Sequence, residues 1–556
     1  MLYHALKTLD LASIPDDKTI PQFMLDAHAH RTRPTRGLHA KTWLVHDKSG
    51  QHIEVGELEE RTYALANALR IRYGIKDDDV DFPVVIWATH YLGAIVSPAN
   101  PSFTVDELLY QIERTNARVI FAYPEEESLR VAREAAQKMN IPPDHVILLE
   151  GDDKRNSDAG TGNTPPGITS FEDLLRLGSH KPRSFKEYRL QGGGARNKIA
   201  FLSFSSGTTG KPKECHIYHF AVAIPHYAFI ANIVQLAVHN EINEPHYNGC
   251  ESPVPWGSPS RRFRVGDVCL GDIYGLLMSM AVVVVPTFKY TDMLASIERH
   301  KITHLILVPP QAVLLCKHPA TDEYRDALTR VRFMLMGAAP VSHEVTTQLV
   351  KVLPNAQIGQ AYGMTETSTA VSMFPTSQNI GTSGSAGQLL PGVVARVAKT
   401  DGSLSGTNEP GELVVSSPSV TLGYYGDKEA TRVTYVDGWV RTGDEVRIDE
   451  KLEVWVIDRM KEIMKVNGYQ VAPAELEGCI LNHPAVADCC VVGVRDAYSG
   501  EVPLAFVVLA EGAKDQAREE VARGIMQHVA TNKVSYKHLK GGIEFIDVIP
   551  KNPSGA

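Results

Sequence analysis

Long hydrophobic runs are missing from this chain of 556 residues. The longest apolar stretch lies around Leu276 to Val285 and is followed by Pro286, whereas a membrane-spanning helix needs about 18 to 20 apolar residues. We therefore expect a buried strand here and no membrane span. The N-terminal segment has no basic region followed by an apolar core, so no signal peptide is expected.

Cysteine and basic clusters are also scarce. The chain has seven cysteines, an odd number, and only Cys489 and Cys490 are close in sequence. This pattern argues against a disulfide framework and favours a reducing compartment, so we expect a cytoplasmic protein, or a peroxisomal one if a targeting tripeptide follows residue 556. The net charge of −9 and the lack of a basic block argue against a nucleic-acid partner.

What the chain does have is an alternation of short apolar segments with amphipathic ones, from about residue 40 to residue 370. Apolar segments at 119–124, 304–308 and 332–336 are predicted strands, and 106–115 and 342–352 are predicted helices. Strands that alternate with helices predict parallel sheets covered by helices.

The character of the sequence changes twice after this region. Glycine-punctuated short strands follow Gly381 and predict a β-rich subdomain, and helix, strand and helix patterns after Asp458 predict a small α+β domain. The boundaries that we expect are an N-terminal domain with a β-rich subdomain, a hinge and a C-terminal domain, at residues 1–457 (with 380–457 as the subdomain), 458–461 and 462–556.

The first segment that suggests chemistry is SFSSGTTGKPK at 203–213. Its glycines let the backbone turn and direct N–H groups at one point, while its hydroxyls and lysines supply donors and positive charge. The residues concerned are Ser205, Ser206, Gly207, Thr208, Thr209, Gly210, Lys211 and Lys213. Such a loop suits a polyphosphate, but a flexible polar turn explains the same residues equally well.

Three further segments are candidates for the same site. In QAYGMTET (360–367), Tyr362 offers a flat face for a nucleobase, and Thr365 and Glu366 suit a phosphate and its magnesium. Within 434–449, Asp444 is a carboxylate that could accept both hydroxyls of a ribose. The segment 458–475 is interpreted as a hinge-like turn that leads into a helix. Each of these alone is equally typical of a charged, solvated turn.

In this order and spacing the four segments resemble the adenylate-forming superfamily of acyl-CoA synthetases, luciferases and nonribosomal adenylation domains. The stretch DRMKEIMKVNGYQVAPAELE at 458–477 resembles the 4-coumarate–CoA ligase-like branch most. Further segments that carry the resemblance, which covers nearly the whole chain, are ANPSFTVDEL (99–108), GAAPVS (337–342), LLPGV (389–393) and GELVV (411–415).

The resemblance implies an α/β fold, in which a large N-terminal domain of two parallel-rich αβ sheets plus a β-rich subdomain is hinged to a small α+β C-terminal domain. It also implies an acid–thiol ligase. Such an enzyme uses ATP and Mg²⁺ to convert a small-molecule carboxylic acid, expected here to be aryl or otherwise hydrophobic, to an acyl-adenylate. It then forms a thioester with coenzyme A, and the C-terminal domain rotates between the two half-reactions.

The resemblance also assigns roles to individual residues. Those implied for ATP are Ser205, Ser206, Gly207, Thr208, Thr209, Gly210 and Lys213 at the outer phosphates, Gly337, Ala338, Ala339, Gln360, Tyr362 and Gly363 at the adenine side, Thr365 at the α-phosphate, and Asp444 with Arg459 at the ribose. Those implied for the remaining functions are Glu366 for the metal, Lys461 for the hinge, Lys465 and Gln470 for thioester formation, Asn467 and Gly468 for the coenzyme A path, and Tyr274, Gly337 and Met364 for the acid pocket.

Five places depart from the family pattern. The sequence is shortened or altered at Asp81, at 214–220 and at Asp272, where the family has core strands and, at Asp272, a pocket histidine. Asn467 stands where lysine is usual, and Ala556 stands where the family has a lysine that serves adenylation, so slow adenylation is expected.

These departures keep other functions open. The alternatives are a catalytically impaired adenylate-binding homologue and an adenylation enzyme that serves an amino acid and a carrier protein. A luciferase-like oxygenase is chemically compatible with the same motifs.

Overall fold

The computed structural model describes residues 1–25, 42–48, 50, 52–74, 83–99, 103–149, 169–205, 220–241, 256–258, 281–284, 288–337, 341, 343–460, 463–466, 469–496 and 499–550. The α-helices in these residues are α1 (Ile20–Leu25), α2 (Val55–Tyr73), α3 (Pro83–Tyr91), α4 (Val105–Thr115), α5 (Glu126–Lys138), α6 (Phe171–His180), α7 (His226–His239), α8 (Tyr290–His300), α9 (Pro309–Lys317), α10 (Arg325–Leu328), α11 (His343–Val352), α12 (Lys428–Thr434), α13 (Pro473–Leu481) and α14 (Arg518–Asn532).

The strands fall into five sheets. In chain order they are β1 (Tyr3–His4), β2 (Thr42–His46), β3 (His52–Glu54), β4 (Ile120–Ala122), β5 (Val146–Leu148), β6 (Thr169–Ser170), β7 (Ile199–Ser205), β8 (Phe220–Pro225), β9 (Trp256–Ser258), β10 (Val282–Val284), β11 (His304–Leu307), β12 (Phe333–Met336), β13 (Gln357–Met364), β14 (Thr369–Met373), β15 (Gln388–Leu389), β16 (Val394–Ala398), β17 (Gly411–Ser416), β18 (Tyr435–Val436), β19 (Trp439–Ile448), β20 (Val454–Arg459), β21 (Met464–Val466), β22 (Tyr469–Val471), β23 (Val486–Asp496), β24 (Gly500–Leu509) and β25 (Gly542–Phe545).

The largest sheet has nine strands in the order β15-β14-β13-β12-β11-β9-β10-β2-β3. In this order, neighbouring strands from β13 to β2 are parallel. The outer pairs β15-β14, β14-β13 and β2-β3 are antiparallel. β4, β5 and β6 form a separate parallel sheet, and β7 and β8 form a hairpin that a parallel bridge joins to Val96. A parallel sheet must be covered on both faces, and helices such as α7 and α11 supply that cover.

Helix α7 shows how the sequence decides burial. Its residues are apolar around the whole circumference, as expected of a helix that lies inside a protein, and every residue except Val238 is buried. Helix α4 is amphipathic instead and begins with a capping box. There the Glu107 N–H donates to the hydroxyl of Thr104, and the Glu107 carboxylate accepts from the Thr104 N–H at 2.8 Å.

A six-stranded antiparallel sheet follows the main sheet along the chain. Its order is β1-β16-β17-β19-β18, with β20 paired to β19. β21 does not continue this sheet but pairs with β22 and β24 in a five-stranded sheet, which helices α13 and α14 cover with a core of their own. Sheet membership therefore changes between Arg459 and Met464.

The mixed α/β class predicted from the sequence is confirmed. Predicted strands 119–124, 304–308 and 332–336 are β4, β11 and β12, and predicted helices 106–115 and 342–352 are α4 and α11. The β-rich region predicted after Gly381 contains β16 to β20, which form the six-stranded sheet together with β1. The departures from the family pattern at Asp81, 214–219, Asp272 and Ala556 lie outside the described residues. Among the helices that the structure describes, none combines the length and the apolar composition of a membrane span.

Candidate functional site

The candidate site lies at the carboxyl edge of the nine-stranded sheet. Parallel strands β12 and β13 both end there, and Gly337 follows β12 directly. In open α/β sheets, the carboxyl ends of neighbouring strands form the crevice in which ligands bind. β13 continues beyond its parallel pairing and forms an antiparallel hairpin with β14, so Tyr362 to Met364 extend past the end of β12.

Gly363 is required by the close approach of the two strands of this hairpin. A Cβ atom at this position would lie 1.6 Å from the carbonyl oxygen of Thr369, which no side chain tolerates. The turn between the strands is strained, because Ser368 and Thr369 have φ angles of 57° and 133°. Hydrogen bonds of Asn232 with the N–H and the carbonyl of Ala370 support this turn. Strain of this kind is often held at functional sites.

Glu366 lies within this turn and is 3% exposed. Its Oε1 atom accepts hydrogen bonds from the hydroxyl of Ser205 at 2.7 Å and from that of Tyr424 at 2.9 Å. Its carbonyl oxygen accepts from both the N–H and the hydroxyl of Thr421. Hydrogen bonds therefore fix both the main chain and the carboxylate of Glu366. One of the residues that fix the carboxylate, Ser205, is the last residue of β7.

Asp444 and Tyr362 form the second part of the site. The Tyr362 hydroxyl donates to Oδ2 of Asp444 at 2.6 Å, and Nε of Arg459 lies 3.7 Å from Oδ1. Asp444 and Arg459 are paired across β19 and β20, so the sheet sets their distance. Burial, and next the negative charge of Asp444, raise the pKa of the Tyr362 hydroxyl well above its ordinary value, so it stays protonated as a donor.

Gln360 holds the chain that follows Gly337. Its side-chain oxygen accepts a hydrogen bond from the Val341 N–H at 2.9 Å, and Gln360 itself is buried. The assignment of Gln360 to the adenine side stays a prediction. The observed contact shows that one polar atom of the side chain positions the neighbouring loop.

Asp458 is placed at the beginning of helix α13. Its Oδ1 accepts from the Arg459 N–H at 2.7 Å, and its Oδ2 accepts from the Ala474 N–H at 3.2 Å. A carboxylate at a helix N-terminus accepts a hydrogen bond from an N–H that has no partner within the helix, and its charge interacts favourably with the positive end of the helix dipole. Burial, and next the charge of Asp458, raise the pKa of the nearby Glu445.

The other end of α13 contacts helix α9. The Lys317 ammonium donates to the carbonyl oxygens of Leu481 at 2.7 Å and Val486 at 3.1 Å. A cation interacts favourably with the negative, C-terminal end of a helix dipole, as a carboxylate does with the positive, N-terminal end. Helix α13 is thus held at its two ends by opposite charges, Asp458 and Lys317, which both belong to sheets or helices that precede it in the chain.

The structure brings together part of the predicted site. Ser205, Tyr362, Glu366, Asp444 and Arg459 make the contacts given above, while Gly337, Met364 and the half-buried Thr365 lie on the same strand ends. Predicted residues outside the described part are Ser206, Gly207, Thr208, Thr209, Gly210, Lys213, Tyr274, Ala338, Ala339, Lys461, Asn467 and Gly468. For Lys465 and Gln470 the backbone is described, and the two residues are register partners across β21 and β22.

Sequence reasoning missed four residues of the site: Tyr424, Thr421, Thr442 and Asp458. Thr442 accepts from the Asp444 N–H at 3.1 Å and donates to the Leu413 carbonyl. The adjacent tyrosines 424 and 425 after Gly423 were a visible signal, but nothing local shows that the first one meets Glu366. In the described residues no group of three or more histidines, cysteines or carboxylates could hold a metal ion.

Two family models match the chain. Residues 31–425 match the model described as AMP-binding enzyme, and residues 475–556 match the model described as AMP-binding enzyme C-terminal domain. The curated protein "4-coumarate--CoA ligase-like 2" of Arabidopsis thaliana is 33% identical over 535 residues, which cover 94% of this chain and 87% of that protein. "Acyl-CoA ligase AFT1-1" of Alternaria alternata is 31% identical, with 98% and 93% covered.

Solved structures have the same fold. The anthranilate CoA ligase AuaEII, solved in complex with anthranoyl-AMP, superposes with a TM-score of 0.79 at 20% identity, over 99% of this chain and 97% of that one. MatB from Rhodopseudomonas palustris, solved with ATP bound, superposes with a TM-score of 0.76 at 21% identity, over 97% of each chain. At these identities the likeness concerns the fold.

Proposed function

The chain belongs to the AMP-binding enzyme family, and we propose on that basis that it is an acid–thiol ligase. It would activate a carboxylic acid with ATP to an acyl-adenylate and then transfer the acyl group to coenzyme A. Relatives named as CoA ligases, similar over almost the whole chain, support this proposal. The observation that carries it is the pair of fixed carboxylates, Glu366 and Asp444, at the carboxyl edge of the main sheet.

The first half-reaction joins two anions. The carboxylate oxygen attacks the α-phosphorus of ATP, the bond to the β-phosphate oxygen breaks, and pyrophosphate leaves. Catalysis of such a step consists mainly of positioning and of offsetting charge. Asp444 would hold the ribose hydroxyls, since a carboxylate has about four acceptor positions and the hydrogen bond from Tyr362 fixes its orientation. Thr365 would contact the α-phosphate.

Glu366 fits a magnesium ion in this half-reaction. Mg²⁺ prefers hard oxygen ligands and is usually bound by one or two carboxylates together with phosphate oxygens and water. A single buried carboxylate that contacts Ser205, the first residue assigned to the outer phosphates, therefore meets the requirement, even though the described residues contain no larger ligand cluster. When bound, the ion would offset the negative charge of the phosphates.

The second half-reaction is an attack by the coenzyme A thiolate on the acyl carbon, which releases AMP. We assign Lys465 and Gln470 to it, with Asn467 and Gly468 along the coenzyme A path. The division into residues 1–457, a hinge at 458–461 and residues 462–556 is part of the same proposal. The change of sheet between Arg459 and Met464 supports it, because the connection there is short and, among the described strands, no sheet includes strands from both sides of it.

The acid is proposed to be aryl or otherwise hydrophobic. Relatives named 4-coumarate--CoA ligase are named for an aryl acid, and so is the anthranilate CoA ligase with the same fold. Met364 and Gly337, together with Tyr274, are the residues that we assign to its pocket. The compartment stays a prediction from the sequence.

A panel of carboxylic acids in a pyrophosphate-release assay, with and without coenzyme A, tests the function. We expect release with at least one aryl acid and thioester formation only when coenzyme A is present. If ATP binds but no acid causes release, while a supplied acyl-adenylate also fails to give a thioester, the protein is an impaired adenylate-binding homologue. Transfer to a carrier protein but not to coenzyme A would favour the carrier-directed alternative.

A further inference from the structure

We propose that Tyr424 is a positioning residue for Glu366: its hydroxyl holds Oε1 so that Oε2 is presented to the metal. The inference rests on the proposed function, because it concerns the magnesium that accompanies ATP. It adds a residue that the motifs do not contain and that lies 58 positions from Glu366 along the chain.

The geometry of the two hydrogen bonds carries the inference. In the described part of the chain, the Ser205 and Tyr424 hydroxyls both end on Oε1, at 2.7 and 2.9 Å. Two donors on one oxygen fix the rotation of a carboxylate about its last side-chain bond. The other oxygen, Oε2, then has a set direction and keeps its lone pairs for a cation.

The Tyr424 ring is itself fixed. It is 4% exposed and packs against the rings of Phe220, with centroids 4.7 Å apart, and Tyr435, with centroids 5.8 Å apart. The N–H of Tyr424 donates to the Thr431 hydroxyl at 2.9 Å. A donor held in this way keeps its place when ligands enter, whereas a surface side chain would move.

The Ser205 and Tyr424 hydroxyls, which both donate to Oε1, are expected to behave differently when ATP binds. Ser205 begins the loop that we assign to the outer phosphates, so its hydroxyl has a second acceptor when ATP binds. Tyr424 belongs to the segment after β17, outside the four motifs that we assign to ATP. We therefore infer that Tyr424 maintains the orientation of Glu366 in the ATP complex, when Ser205 turns toward phosphate.

The test is the substitution Tyr424→Phe, which removes the hydroxyl and keeps the ring. Binding of Mn²⁺, used in place of Mg²⁺, is measured by electron paramagnetic resonance in the presence of a saturating non-hydrolysable ATP analogue. We expect binding weaker by about 10-fold, the lower end for loss of a group that orients a metal ligand. The affinity for the analogue in the absence of divalent metal should change by less than about 2-fold, because no ATP contact is lost and only the metal contact is weakened.

Tyr425→Phe is the matched control. It is the same substitution one residue later, on a side chain that is 46% exposed, and it should leave Mn²⁺ binding unchanged. A second comparison uses Glu366→Gln, which should weaken Mn²⁺ binding more strongly than Tyr424→Phe. Adding Tyr424→Phe to Glu366→Gln should then have no further effect, because the tyrosine acts through the carboxylate.

The outcomes separate the two claims. If Glu366→Gln weakens Mn²⁺ binding and Tyr424→Phe does not, the positioning role is wrong and the metal assignment stands. If Tyr424→Phe weakens metal-free analogue binding as much as it weakens metal binding and lowers the thermal midpoint, the hydroxyl is only structural, which also overturns the inference. If neither variant alters Mn²⁺ binding, the proposed metal site itself is wrong.

Discussion

Tyr362 and Asp444 lie on different sheets, and the 2.6 Å hydrogen bond between the tyrosine hydroxyl and Oδ2 of the aspartate joins them. This bond fixes a carboxylate that is 9% exposed beside the end of β13. A fixed acceptor binds a sugar diol without a cost for ordering its own side chain.

Asp444→Ala should therefore weaken ATP binding by about 100-fold, since each charge-assisted hydrogen bond to a ribose hydroxyl is worth roughly 1.5–3 kcal/mol. Titration calorimetry with ATP measures the change. Asp401→Ala removes an exposed carboxylate from a turn of the same sheet and should leave the affinity as it is. An Asp444→Ala protein that binds ATP normally would show that the ribose lies elsewhere.

Lys465→Ala should separate the two half-reactions. Lys465 lies on β21, opposite Gln470, in the segment that we assign to thioester formation. We expect acyl transfer to coenzyme A to slow by at least about 10-fold more than pyrophosphate release, the two being measured separately in single turnovers. Lys451→Ala, in the exposed turn before β20, is the control. An equal loss in both assays would falsify the assignment.

Lys317→Met should change the balance between the half-reactions without touching either site. The lysine donates to the carbonyls of Leu481 and Val486, and its loss removes a partly exposed, charged contact worth about 1 kcal/mol. If α13 moves with the C-terminal domain, the domain orientation in which Lys317 contacts Leu481 and Val486 becomes about 5-fold less populated in the variant. One half-reaction should speed up and the other slow down, whereas Lys301→Met, after α8, should alter neither. Parallel changes in both rates would contradict the idea.

Gly363→Ala should destabilise the hairpin that carries Glu366. The added Cβ atom would lie 1.6 Å from the Thr369 carbonyl oxygen, so the strands must separate. We expect a loss of about 3 kcal/mol in the free energy of unfolding, the upper end for overpacking, measured by urea denaturation. Gly512→Ala, where the new atom meets nothing within 4 Å, is the control. Equal midpoints for the two variants would refute the requirement for glycine.

Buried histidines should make the fold sensitive to mild acid. Burial lowers the pKa of His90 to about 3 and that of His239 to about 4. In the unfolded chain both titrate near 6.5, so below that pH only the unfolded state takes up their protons. Their stabilising contribution is complete above pH 6.5 and falls by up to ~1.4 kcal/mol per pH unit for each histidine, down to the folded pKa.

His239→Gln isolates one of these groups. The side-chain amide can still donate to the Phe374 carbonyl, which His239 contacts at 3.3 Å. Urea midpoints at pH 7.5 and pH 5.5 should therefore differ less in His239→Gln than in the parent protein. If the two proteins lose the same stability between these pH values, His239 does not contribute to the dependence.

The sequence predicted elements whose signal is local. Helix α4 has its capping box and amphipathic pattern within one segment, and β12 is a continuous apolar run. The contacts that complete the site are not local: Tyr424 meets Glu366 across 58 positions, and Lys317 meets Leu481 across 164. Such pairs depend on how sheets are arranged in space, which no single segment encodes. The motif residues of the described part could be grouped from the sequence only through the resemblance to a family, and their roles stay predictions.

The connection between the last strand of the six-stranded sheet and the first strand of the next has a mechanical consequence. Five residue steps separate Arg459 from Met464, so their α-carbons can lie at most about 18 Å apart. If residues 462–556 rotate as proposed, a connection of this length would keep them next to the strand ends that carry Glu366 and Asp444 in both half-reactions. The rate of that rotation should then not depend on the protein concentration, because the two parts stay on one chain.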